Sequence, residues 1–127
     1  MQNTKKEKMK REIIFFNRGK SFFVNAKDCN LFWKGIGLMF SRRENAEILI
    51  FRFKKKTRIA IHSFFVFFPF VALWLNEENE VVDLKIVKPF TSCVLPTEKS
   101  FSLIEIPLNE KNENLMKKLF SGVTVGD

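Results

Sequence analysis

The chain has no tyrosine, a single histidine, two cysteines and two tryptophans among its 127 residues. Sixteen phenylalanines stand where other aromatic residues are missing, so the large side chains offer packing area and almost no hydroxyl handles. That composition favours a phenylalanine-packed interior over a polar pocket. With one histidine and two cysteines, a metal centre would need Cys29, His62 and Cys93, which lie about thirty residues apart with no paired-ligand spacing, so no metal and no cofactor are expected. A secretory signal is missing as well. The apolar stretch behind the basic start covers only residues 13–16, too short for a signal core, which predicts a cytoplasmic chain with plain, unbridged thiols.

What is present is positive charge. Twenty-two Lys and Arg stand against fourteen Asp and Glu, a net charge of +8 that attracts polyanions or an anionic surface. Residues 5–12 hold Lys5, Lys6, Lys8, Lys10 and Arg11 against Glu7 and Glu12, giving +3 of that total. Residues 1–12 therefore read as a basic disordered arm, and residues 13–127 as one domain large enough to bury a core.

The longest uncharged run, residues 59–75, just reaches the length of a membrane-spanning helix and has basic residues before it and acidic residues after it. Pro69 in its interior, His62 and Ser63 near one end, and the Phe, Val and Ile content argue instead for two paired strands turning at Pro69. No transmembrane span is expected.

Elsewhere the pattern is strand and turn. Residues 13–16 and 22–25 flank a turn at Asn17, Arg18 and Gly19, and residues 46–53 form an apolar run ahead of a Lys-rich turn at 54–57. Residues 76–79 make a polar turn, residues 80–88 alternate like a half-exposed strand, Pro89 and Pro96 bracket a loop, and 101–106 gives another strand. Asp28 can cap a short helix to about Leu38, weakened by Gly35 and Gly37, and residues 114–120 form a short amphipathic helix. The sum is a mainly β protein, a small sandwich or barrel-like domain with one or two short helices.

Four residues are candidates for a binding site. Arg42 and Arg43, directly after an apolar stretch, offer two adjacent guanidinium groups able to bind phosphate or carboxylate, against the plainer reading of a solvated pair. His62 would serve as acid or base near neutral pH, although a lone histidine in an apolar run is more often a structural residue at a core edge. Trp74 is carried with them as a contact that core packing would otherwise claim. No catalytic residue is assigned, since no Ser or Asp partner follows from spacing. Lys54, Lys55, Lys56 and Arg58 could track a nucleic-acid backbone if aromatic residues were exposed for stacking, but the phenylalanines sit inside apolar runs, where core packing is the default.

Gly37, Leu38, Met39 and Phe40 with Arg42 and Arg43, then residues 48–53, then His62, Ser63, Phe64, Phe65, Phe68 and Pro69 form an ordered series. Asn79, Val81 and Val82, then Lys88, Pro89 and Phe90, then Ile104, Glu105, Ile106 and Pro107, and finally Val125, Gly126 and Asp127 continue it. This series resembles the domain of unknown function 192 family in its archaeal form, from about Cys29 onward. The resemblance implies a compact β-sandwich or barrel and names no agreed activity. Val71 stands where that family usually carries an Asp, and Leu108 with Asn109 where it carries a Gly, so a site built on either would be lost here. The sequence thus predicts a monomeric or weakly associating binding or accessory module whose partner it does not name, an anionic ligand and a nucleic acid being the candidates. The alternatives are an enzyme for an anionic small substrate with His62 as acid or base, and nonspecific nucleic-acid binding.

Overall fold

The computed structural model describes residues 10–29 and 38–121. Six strands form one sheet: β1 (Lys10–Asn17), β2 (Lys20–Cys29), β3 (Leu49–Thr57), β4 (Phe70–Leu75), β5 (Val81–Val87) and β6 (Ser100–Pro107). Among the described residues a single α-helix, α1 (Glu113–Leu119), follows. The spatial order is β1-β2-β3-β6-β4-β5, antiparallel throughout except where the end of β2 runs parallel to the start of β3.

The β1–β2 hairpin follows from its alternation. Ile13, Phe15, Phe22, Val24 and Ala26 point inward while Ile14, Phe16 and Phe23 point outward. Arg18 and Gly19 form its two-residue loop with φ of 54° and 79°, the doubly left-handed turn that matches strand twist. The sheet then curls until its two edges meet at one corner. Phe16 donates its backbone N–H to the Asn79 carbonyl at 2.9 Å, and Asn79 Nδ2 donates to the Ile14 carbonyl at 2.9 Å. Asn79 holds φ of 63°, which asparagine tolerates well. The result is a curled half-barrel.

Both faces of this sheet carry a core. The concave face packs Phe15, Phe22, Ile50, Leu73, Leu75, Ile104 and Ile106, and α1 covers it with Leu119, Leu115 and Met116. The convex face of β3, β6 and β4 packs Phe51, Phe70, Trp74 and Leu103 under Leu38, Ile61, Val66 and Phe68 from loops. β4, flanked on both sides and covered on both faces, is buried at every residue.

Several expectations change. Only Phe70–Leu75 of the 59–75 run is a strand; residues 58–69 form a loop that pairs once, Ile61 with Val94. Strands β3, β6 and β4 already have neighbours on both sides, so this segment lies across their convex face and can add no strand beside them. Lys54, Lys55 and Lys56 lie within β3, exposed, past a register shift beginning at Arg52. β1 begins at Lys10, so Lys10, Arg11 and Glu12 pair with β2. Asp28 is in β2, opposite Ile50 and ion-paired with Arg11, so it caps no helix; the rest of the helix expected there lies outside the described residues, as do Trp33 and the arm before Lys10. Among the described residues no helix is long and apolar enough to cross a membrane.

Candidate binding face

Three loops meet over the convex core, and each contains a turn with a phenylalanine at its third position. The Ser41 N–H reaches the Leu38 carbonyl at 3.2 Å around Met39 and Phe40, and the Val66 N–H reaches the Ser63 carbonyl at 3.1 Å around Phe64 and Phe65. Pro89 and Phe90 form the third, closed by Thr91 Oγ1 donating to the Lys88 carbonyl at 2.7 Å. Phe40, Phe65 and Phe90 hold φ of 61°, 62° and 59°. Glycine or asparagine takes that conformation at this turn position readily. A bulky side chain there is a strained outlier costing on the order of 1–3 kcal/mol.

The strain does not serve burial. Phe40 is 69% exposed and Phe67 59%, and Phe64, Phe65 and Phe90 are exposed too. Phe40 stacks on Phe65 at 5.2 Å between ring centres, Phe65 meets Phe90 edge-on at 6.2 Å, and Phe67 meets Phe90 at 5.2 Å. These rings form one continuous aromatic surface, the kind of exposed patch that marks an interaction site.

Ser63 clamps the arrangement from below and is fully buried. Its hydroxyl donates to the Lys88 carbonyl and accepts from the Thr91 N–H at 2.7 Å, while its backbone N–H donates to the Thr91 carbonyl at 2.9 Å. The Ser63 carbonyl accepts from Phe90 at 2.9 Å, and the Phe40 N–H donates to the Phe65 carbonyl at 2.9 Å. Five hydrogen bonds thus fix the positions of the three turns relative to one another.

The charge is one-sided. Residues 38–43, 58–69 and 88–97 contain Arg42, Arg43, Arg58 and Lys88 and no Asp or Glu. Arg58 lies across its neighbouring loop, donating from Nε to the Pro96 carbonyl at 2.8 Å. Beneath the loops lie two carboxylates, Asp83, which accepts from the Thr97 N–H at 2.8 Å, and the buried Glu105. Glu105 lies in register with Leu49 on one side and Ala72 on the other, and burial pushes its carboxyl from an ordinary 4.5 up to about 8. Burial likewise raises the Cys29 thiol from 9.0 to about 11, with Lys27 pulling it down and Glu105 adding to the rise, so it stays protonated.

The candidates from the sequence divide. Trp74 is fully buried because β4 is covered on both faces, and it cannot present a binding surface. His62 borders the aromatic surface, its Nδ1 accepting from the Phe64 N–H at 3.2 Å and its ring 5.3 Å from the Phe64 ring. Arg42 is exposed at the entry to a short 3-10 turn, Arg43–Asn45. Arg43 turns toward the helix end of the molecule, its Nε donating to the Leu108 carbonyl at 2.7 Å, and lines a cleft of about 530 Å³ with Glu44, Asn109, Lys111, Glu113 and Met116. That cleft mixes both charges and excludes His62, so Arg43 and His62 do not converge on one ligand. Val71, where the resembled family has its Asp, is buried inside the barrel.

The residues that sequence reasoning missed are the phenylalanines themselves. Among the described residues seven of them are exposed, where core packing is the expectation. The signal was available in the pairs Phe64–Phe65 and Phe67–Phe68 around Val66, because consecutive residues cannot all face one core. Pro89 before Phe90 was a second cue, since proline favours the position just ahead of the left-handed one.

No protein-family model matches the chain, and no curated protein matches it. Solved structures share its fold. One, described as a putative transcription regulator from Sinorhizobium meliloti 1021, aligns with 84% of this chain and 85% of its own at 12% identity, with a TM-score of 0.67. Another, a protein of unknown function from Novosphingobium aromaticivorans DSM 12444, aligns with 84% of this chain and 79% of its own, again at 12% identity, with a TM-score of 0.68. At that identity the likeness establishes the small β fold and nothing about activity.

Proposed function

We propose that the protein is a binding or accessory module whose partner contacts the surface formed by Phe40, Phe65, Phe67 and Phe90. One observation carries this reading: three phenylalanines occupy strained left-handed turns and are exposed there, which stability alone would select against. His62 and Arg42 belong to the rim of this surface, and the anionic partner expected from the charge balance fits its lack of carboxylates. The reading extends to membership of the domain of unknown function 192 family, with which the small β fold agrees, and to a cytoplasmic, monomeric or weakly associating chain.

The test is site-specific photo-crosslinking in cells with a benzophenone side chain in place of Phe67, and in place of Phe23 as control. Phe23 is comparably exposed but lies on the outer face of the β1–β2 hairpin. Adducts at position 67 and none at position 23 are expected. Equal labelling at the two sites, or none at either, contradicts the proposal.

A further inference from the structure

Resting on that reading, we infer that the partner is the surface of an anionic lipid bilayer, with the three phenylalanine turns inserted among the lipids and the surrounding cations on the headgroups. The chemistry of the surface selects this occupant. Its exposed rings are all phenylalanine and carry no hydroxyl or N–H to place in a defined hydrogen bond, whereas the residues that carry most of the energy of protein interfaces are enriched in tyrosine, tryptophan and arginine. Apolar loop tips with Arg42 and Lys88 near Phe40 and Phe90 in the chain, on segments free of Asp and Glu, combine the two terms that drive interfacial binding, buried apolar area and attraction to anionic lipid.

Single-stranded nucleic acid fits less well. Stacking on bases needs free ring faces, and here Phe40 and Phe65 occupy one of each other's faces while Phe90 stands in T-shaped contact with both Phe65 and Phe67. The Ser63 clamp also suits insertion. With the Phe40 N–H on the Phe65 carbonyl it ties the three loop tips together, which lowers the ordering entropy lost when they enter the interface.

The full chain is tested by co-sedimentation with vesicles of phosphatidylcholine alone and of phosphatidylcholine with phosphatidylglycerol, using wild type, Phe65→Ser with Phe67→Ser, and Phe23→Ser. The expected result is partitioning at least about tenfold stronger onto the anionic vesicles, weakened about tenfold by the double substitution and unchanged by Phe23→Ser. A Phe67→Trp variant supplies a reading independent of affinity: its emission should shift to the blue on anionic vesicles and be quenched by brominated acyl chains. Absence of vesicle binding while crosslinks at position 67 persist overturns the lipid assignment and leaves the docking surface standing. Loss of both overturns the two together. Binding to a single-stranded oligonucleotide that falls steeply with salt, without vesicle binding, assigns the surface to nucleic acid and also overturns the inference.

Discussion

The two faces of the central strands are both buried, but by different means. The concave face is closed by the sheet's own curvature and by α1, with Phe15 stacked on Phe22 at 5.0 Å and Lys118 Nζ 4.8 Å from the Phe22 ring centre. The convex face is closed by irregular loops that bury one set of side chains, Ile61, Val66 and Phe68, and expose another, Phe65 and Phe67, from the same segment. The strands expose apolar side chains too, Phe16 and Phe23 among them, but on regular backbone. The loop exposes Phe65 on a left-handed backbone, at a cost in strain. The contrast puts the proposed binding surface in the loop layer, which shares with the sheet the burial that holds the fold.

The largest effect that could break this contrast is removal of a core side chain from either layer. Leu73→Ala on the concave side should cost about 2–5 kcal/mol, and Phe68→Ala on the convex side about 3–5 kcal/mol. Both should shift a single urea transition, because β3, β6 and β4 contribute residues to both cores. A separate early transition in Phe68→Ala would instead show that the loop layer melts alone.

Next is Glu105. Its folded-state carboxyl is raised above the ordinary value, so the native protein keeps a proton that the unfolded chain releases near 4.5. Stability should therefore be fullest below about 4.5, fall as pH rises toward about 8, and level off above it. The slope within that window approaches about 1.4 kcal/mol per pH unit. Glu105→Gln should remove the slope, leaving the variant similar to wild type in acid and more stable by a few kcal/mol in mild alkali. Chemical denaturation across pH measures this. An unchanged slope would mean that Glu105 is not the group responsible.

Ser63→Ala should have a smaller effect, about 1–3 kcal/mol, since it leaves the Thr91 N–H without its partner and the Lys88 carbonyl with the Thr91 hydroxyl alone. Hydrogen exchange should quicken at Phe90, whose N–H meets the Ser63 carbonyl, and stay unchanged in β1 and β2.

The same contrast explains what could be read from the sequence. The hairpin turning at Arg18 and Gly19, the strand over Val81–Val87 and the helix at Glu113–Leu119 are local, and period and turn residues identify them. The parallel pairing of β2 with β3 is long-range and leaves no periodic trace. Residues 59–68 alternate in part like a strand because Ile61 and Ser63 face the sheet, yet no strand edge was available for pairing. For the candidate site, His62 was found on its rim, whereas Trp74 and Arg43 were drawn away by burial and by the Leu108 carbonyl. Adjacency in the chain put Arg42 and Arg43 together, but backbone geometry decides where each side chain points.

The smallest change in stability gives the most direct test. Phe40 is the most exposed of the left-handed phenylalanines, and glycine would adopt its φ of 61° without a Cβ clash. Relief of about 1–2 kcal/mol of strain is offset by the greater freedom of glycine in the unfolded chain and by loss of the stack on Phe65, so Phe40→Gly should stay within about 1 kcal/mol of wild type. Measured side by side, its urea midpoint should hardly move while its partitioning onto anionic vesicles falls. A variant that loses stability and binds as well as wild type would contradict the account, because Phe40 would then be serving the fold and not the surface.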